Sequence, residues 1–300
     1  MSIYEKYASE GRKHVSGIGQ YCPPACYELA GKRLVFVLDT GRDTGDAILD
    51  FIDETQVRWS IKGGCELKVD KYECRKADDR TYLVTYCLGG KTPRENHTWV
   101  LDMEQHLVTF LRSPMGENAY WPYLIENHFT FGYIKQEGKE HTDLRRHTFT
   151  DDLTGIGIKW VYSHDLYTYH AYHNSNWYRI FLPTGTSPRE ITSMGAGMDR
   201  MPSSDEPAYY IKIKESMYLI SVIEQNMEKI YGEDIPKRRR SDTLCFLDNW
   251  DRMYSVGRGF GTYYDKDKGE EWDVYVIIGK YGVPVEMDEH CFTDPNPYTV

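Results

Sequence analysis

The stretch Ile158-Lys-Trp-Val-Tyr-Ser-His-Asp-Leu-Tyr-Thr-Tyr-His-Ala-Tyr-His-Asn-Ser-Asn-Trp-Tyr-Arg-Ile-Phe-Leu182 decides the fold class. Its β-branched and aromatic residues suit a pleated surface, while Ser163-His164-Asp165 and His173-Asn174-Ser175-Asn176 supply turn conformations. It therefore predicts two or three short strands. Thr168, His170 and Tyr172 lie two apart and share one face of a strand. A surface face would show Lys and Glu there, and a dry core Val, Ile and Leu. Thr, His and Tyr together predict the wall of a cavity.

Upstream, short strands are predicted at 34–38, 46–52, 56–62, 67–73, 81–87, 97–102 and 107–112, punctuated by glycines. They are followed by a less regular passage over 113–146 that includes Trp121 and Tyr123. The chain then repeats itself. Gly31-Lys-Arg-Leu34 returns as Gly155-Ile-Gly-Ile158, and Tyr82–Cys87 as Tyr218–Ile223. Trp99–Asp102 is matched with Cys245–Asp248, and Leu107–Arg112 with Met253–Arg258. Pro183–Pro207, rich in Pro, Gly and Met, reads as an insertion and a candidate lid. The pattern predicts an all-β protein of two tandem antiparallel barrels. The boundaries expected are an N-terminal arm over 1–28, a mainly structural barrel over 29–146, a pocket-bearing barrel over 147–284, and a tail over 285–300.

Composition narrows the function classes. A net charge of −10 argues against a nucleic-acid partner, and the basic run Lys237–Arg240 reads as a solvated loop. Seven cysteines form no dense framework, so reduced thiols and a cytoplasmic location are expected. Cys22-Pro-Pro-Ala-Cys26 lacks both redox and zinc spacing. No apolar run reaches the length of a membrane span, and no signal-peptide core is read at the start. No nucleotide-binding glycine motif, metal cluster or nucleophile elbow occurs, so no cofactor is expected.

Three segments of the second half carry a family resemblance. They are Thr150-Asp-Asp-Leu153-Thr-Gly155 with Trp160-Val-Tyr162-Ser163, then His170-Ala-Tyr172-His-Asn174, then Tyr218 to Glu224. With the duplicated pattern from about Leu29 to Tyr263, the chain resembles the molybdenum cofactor biosynthesis protein F family. That resemblance implies two lipocalin-like (calycin) barrels and a possible link to pterin metabolism. Barrels of this kind also include cofactor-free lyases and cyclases, an analogy of fold alone.

Comparing the two copies points to a site. Thr168, His170, Tyr172 and Glu224 stand where the first copy has Ala47, Leu49, Phe51 and Leu88. Burying such groups costs several kcal/mol unless they pair or meet a ligand. The candidate catalytic residues are His170, Glu224, Tyr172 and Tyr218. The candidate substrate contacts are Tyr162, Thr168, Tyr209, Trp160 and Arg258. Lys212 and Lys214 are expected to face water, which turns Tyr209, Ile211 and Ile213 inward, and Arg258 is expected to cover Trp160 as a cation–π pair. His170 would move a proton near neutral pH, with Glu224 as its partner and phenols holding an oxyanion. The function expected is a cofactor-independent lyase or isomerase acting on a small aromatic or conjugated metabolite. The alternative is a non-catalytic carrier of a pterin-like compound. No nucleic acid or membrane partner is expected, and a homodimer is left open.

Overall fold

Among the described residues, eighteen strands form two antiparallel sheets, each built as an up-and-down meander. The computed structural model describes residues 18–64, 66–88, 94–116, 124–164, 166–182, 203–226, 238–265 and 267–293. The chain divides into two units, each holding one barrel. Of the expected insertion Pro183–Pro207, residues 183–202 lie outside the described residues, as do Trp121 and Tyr123, and 203–207 belong to a strand rather than a loop.

In the first barrel, β1 (Arg33–Gly41), β2 (Gly45–Phe51), β3 (Gln56–Ser60), β4 (Lys68–Lys71), β5 (Glu73–Lys76), β6 (Thr81–Cys87), β7 (Glu95–Asp102), β8 (Leu107–Pro114) and β9 (His128–Ile134) run in the order β4-β3-β2-β1-β9-β8-β7-β6-β5. The chain itself carries the sheet round, because β4 pairs with β3, β5 pairs with β6, and only Tyr72 separates them. Strand β9 lies in the passage that the sequence reading left irregular. Gly132 admits this curvature, since a Cβ there would meet the Val37 carbonyl oxygen at 2.0 Å.

After the two-residue β10 (Thr148–Phe149) comes the second barrel. Its strands are β11 (Ile156–Val161), β12 (Tyr167–Tyr172), β13 (Trp177–Phe181), β14 (Ser203–Lys214), β15 (Met217–Glu224), β16 (Arg238–Asn249), β17 (Tyr254–Asp265) and β18 (Glu270–Pro284). Pairing of β14 with β15 closes this eight-stranded ring. The predicted breaks at 163–165 and 173–176 are the connections between β11, β12 and β13. Arg238–Arg240, read as a loop, instead opens β16 opposite Tyr263–Asp265. Residues 18–22 lie along β18, where the absence of a side chain at Gly279 makes room for the Cys22 backbone. No helix among the described residues is long and apolar enough to cross a membrane.

Alternation fixes the two interiors. Ile158, Trp160, Tyr172, Tyr178, Ile180, Tyr218, Ile220, Val222, Leu244, Phe246 and Ile278 form the second core. Each large apolar side chain buried in this way contributes about 1.5–3 kcal/mol. Register also refines the internal repeat. Gly31 and Gly155 both adopt positive φ and donate to Phe51 and Tyr172 respectively, so Leu49 matches His170. At the β7–β8 and β16–β17 turns, Asp102 and Asn249 each accept from a backbone N–H of the turn, and His106 and Met253 both have positive φ. Trp99 therefore matches Phe246, and Arg112 matches Gly259. The sequence reading had this part of the repeat one residue out of step.

Candidate functional site

The inward face of the second barrel gathers most of the residues singled out in the sequence. Trp160 comes from β11 and Tyr162 directly follows it, Thr168, His170 and Tyr172 come from β12, and Tyr218 and Glu224 from β15. The Trp160 indole donates to the Tyr172 hydroxyl at 3.0 Å. Thr168 Oγ1 and His170 Nε2 lie 3.0 Å apart, and the Thr168 hydroxyl is 3.5 Å from that of Tyr162. The His170 ring packs 5.0 Å from that of Tyr178 and 6.1 Å from that of Tyr172. The Tyr178 hydroxyl donates to Glu224 Oε1 at 2.9 Å. Tyr218 points inward as expected, and its hydroxyl donates to Asp152 Oδ2 at 3.1 Å.

Glu224 and His170 are thus not bonded to each other: Glu224 accepts from Tyr178 and His170 meets Thr168, and the Tyr178 ring lies against both. Burial, reinforced by the positive charge of Lys280, holds the His170 pKa well below its ordinary value, so the imidazole is neutral at pH 7. Burial raises the phenol of Tyr172 well above the usual range, as it does that of Tyr178 beside Glu224.

Two expected contacts are placed elsewhere. Tyr209 lies on the opposite face of β14 and packs against Phe149 at 6.5 Å, whereas Glu206, Ala208 and Tyr210 turn inward. The lysines misled the phase because they sit at the far end of a twelve-residue strand. Arg258 is opposite Cys245 and Ile277, the residues that alternate with inward Phe246 and Ile278, so it faces away from the interior. Its Nη1 donates to the Thr243 carbonyl at 2.7 Å. The cation over Trp160 is instead Lys280, with Nζ 4.1 Å from that ring and 3.3 Å from the ring of Phe246.

Sequence reasoning missed Glu206, Lys280 and Asp248. Glu206 is fully buried opposite Tyr178; its Oε1 accepts from Ser204, and its Oε2 from the backbone N–H groups of Gln225 and Asn226 at 2.9 and 3.0 Å. Desolvation outweighs those bonds and, with Glu224 nearby, pushes the Glu206 pKa up to about 8. The Lys280 amine is lowered to about 8 by burial, and burial also raises the Asp248 carboxyl. A signal for Lys280 was present, since it continues the alternation Val274, Val276, Ile278 on β18.

The first barrel is not purely apolar. Arg112 Nε donates to Asp43 Oδ2 at 2.9 Å, its Nη1 lies 3.4 Å from Glu95 Oε2, and its Nη2 lies 2.7 Å from His128 Nδ1. His97 Nε2 meets Glu95 Oε1 at 2.6 Å, and its Nδ1 lies 3.3 Å from the Tyr86 hydroxyl. These charges stand at the strand ends, and each has a partner.

A polar-lined second barrel, preceded by a related barrel with a charged end, is the arrangement against which known families can be compared. Residues 15–117 match the family model of the MoaF N-terminal domain. Over those residues the chain is similar to that domain. The match covers the first barrel as far as β8, although the motifs that carried the resemblance lie in the second half. The second barrel lies outside that match and repeats the same meander. No curated protein matches the chain.

Proposed function

We propose that the second barrel binds a small aromatic or conjugated metabolite and acts on it by general acid–base chemistry, as a lyase or isomerase without a resident cofactor. The observation that carries this reading is the pair Glu206 and Glu224, on paired strands of one interior. A carboxyl group raised to about 8 keeps its proton at pH 7 and can donate it, while a second carboxyl on the paired strand can accept one. Glu206, protonated at pH 7, is the acid. Glu224, oriented by the Tyr178 hydroxyl, is the base. The neutral imidazole of His170 orients Thr168 and takes no proton. Trp160, Tyr172 and Tyr178 supply flat apolar walls, and their polar tips suit a conjugated oxygen.

The test is to incubate the protein with a cellular metabolite extract and follow its composition by mass spectrometry. The expected result is depletion of one conjugated compound, with a product of equal mass for an isomerase or of mass reduced by the eliminated fragment for a lyase. Glu206→Gln with Glu224→Gln should abolish that change while the compound still co-purifies. A compound retained unchanged by the wild-type protein would refute catalysis and leave the carrier of a pterin-like metabolite.

A further inference from the structure

Asp248, Ser255 and Lys280 form a single row across the inside of the second barrel. Ser255 is the register partner of Asp248 on one side and of Lys280 on the other. All three are fully buried, the Lys280 Nζ makes no hydrogen bond among the described residues, and the Ser255 hydroxyl lies beside the Asp248 carboxyl, whose ionised form it favours. An orphaned polar atom of this kind is rare in native interiors and costs stability. The fold does not demand this row. The equivalent row of the first barrel, by the same turn register, is Leu101, Val108 and Gly132. An ammonium kept only for structure would be held in an ion pair. Here Nζ instead lies against the faces of Phe246 and Trp160.

We propose that Lys280 is an amine nucleophile that captures the carbonyl carbon of a conjugated aldehyde or ketone as an imine. This rests on the reading that the second barrel admits a small conjugated molecule, but not on the acid–base roles of Glu206 and Glu224. The neutral amine adds its lone pair to the carbonyl carbon, the carbonyl π pair moves to oxygen, and a proton passes from the now cationic nitrogen to that oxygen, which restores the nitrogen lone pair. The nitrogen lone pair then forms the C=N bond as the C–O bond breaks, and the departing hydroxyl leaves as water with a proton from the Asp248 carboxyl. The product is a protonated imine with the Asp248 carboxylate as its counter-ion. Ser255 lies between them in register to relay that proton. A desolvated lysine is suited to this step, because more of it is uncharged near neutral pH. Lowering to about 8 leaves Lys280 on the order of a hundredfold richer in free amine at pH 7 than an exposed lysine.

The experiment treats the full chain with trans-cinnamaldehyde and cyanoborohydride at pH 7, and maps the reduced adduct by peptide mass spectrometry. The result expected is an adduct at Lys280 at least about tenfold faster than at exposed Lys139, with a rate that rises through pH 8. Lys280→Met and Lys280→Arg should both lose it; the wild-type map decides the matter even if a variant folds poorly. Asp248→Asn should slow adduct formation. Glu224→Gln should keep the adduct, which separates this proposal from the acid–base reading. Labelling of Lys139 with an unmodified Lys280 peptide would overturn the imine and leave the Glu206–Glu224 chemistry standing.

Discussion

Glu206→Gln isolates the cost of burying one carboxyl group. The amide is the closest neutral mimic of the protonated acid: its oxygen accepts from the Gln225 and Asn226 backbone N–H groups, and its NH₂ faces the Ser204 hydroxyl. Two opposing effects meet at this position. Three hydrogen bonds favour the carboxylate, while burial and the charge of Glu224 favour the acid, and burial is the larger. The sign follows from linkage. A folded pKa near 8 against 4.5 in the unfolded chain means that the folded protein holds the extra proton between those values, so its stability falls as pH rises from 4.5 to 8. At pH 7 the lag between the two titrations spans about 2.5 units, equivalent to roughly 3 kcal/mol at 1.36 kcal/mol per unit.

The assay is urea unfolding at a series of pH values from 4.5 to 8. Wild type and Glu206→Gln should have nearly equal midpoints at the acid end. The variant should gain progressively towards pH 8, by up to about 3 kcal/mol at pH 7. A variant less stable than wild type at pH 7, or an advantage independent of pH, would show that the backbone N–H groups hold Glu206 ionised. The acid in the proposed mechanism would then be lost.

Lys280→Met should raise stability by up to about 3 kcal/mol below pH 8, and that advantage should shrink between pH 8 and 10.5 as the unfolded lysine loses its own charge, read as the difference in Tm between the two proteins. Because Glu224 and His170 both meet Tyr178, the effects of Glu224→Leu and His170→Leu on stability should fail to add by more than about 0.5 kcal/mol in a double-mutant cycle, and additivity within that limit would refute their coupling through Tyr178. Arg112→Met in the first barrel should cost about 3–5 kcal/mol, because it takes from the fully buried Asp43 its guanidinium and leaves it the half-exposed Lys62 and, at 3.9 Å, His128; an unchanged urea midpoint would refute that network's structural role.

The strands were legible where alternation was clean and turns were marked by Gly, Asn and Asp. Ile158–Leu182 declared two or three strands, of which the fold has three, and its inward Thr168, His170 and Tyr172, because both faces of those strands have distinct chemistry. β14 was not legible in the same way. Asp205-Glu206-Pro207 has the composition of a loop, and Lys212 and Lys214 set a phase that the rest of the strand does not follow. Glu206 was therefore hidden by its own neighbours. Lys280 was hidden by a general expectation, that lysine on a strand faces water, although its position in the β18 alternation argued the reverse. The Asp43–Arg112–His128–Glu95 cluster joins residues far apart in the chain, and no local period records such a meeting.

What separates the two barrels is where the polarity sits and whether it is satisfied. The first barrel has Glu95, Arg112 and His128 at positions that correspond to Asp242, Gly259 and Val276 in the second, and there each charge meets an opposite charge or a hydrogen-bonding ring. Such a network can persist for its structural value alone, since removing one member strands the others. The second barrel places its polar groups deeper, at Glu206, Glu224, Asp248, Ser255 and Lys280, and leaves the Lys280 amine without a hydrogen bond among the described residues. A fold that fills the same row with Leu101, Val108 and Gly132 has no mechanical need for Asp248, Ser255 and Lys280. Their cost in stability is borne without any return visible in the folded chain alone, which is the expected condition of a site whose remaining partners arrive with the ligand.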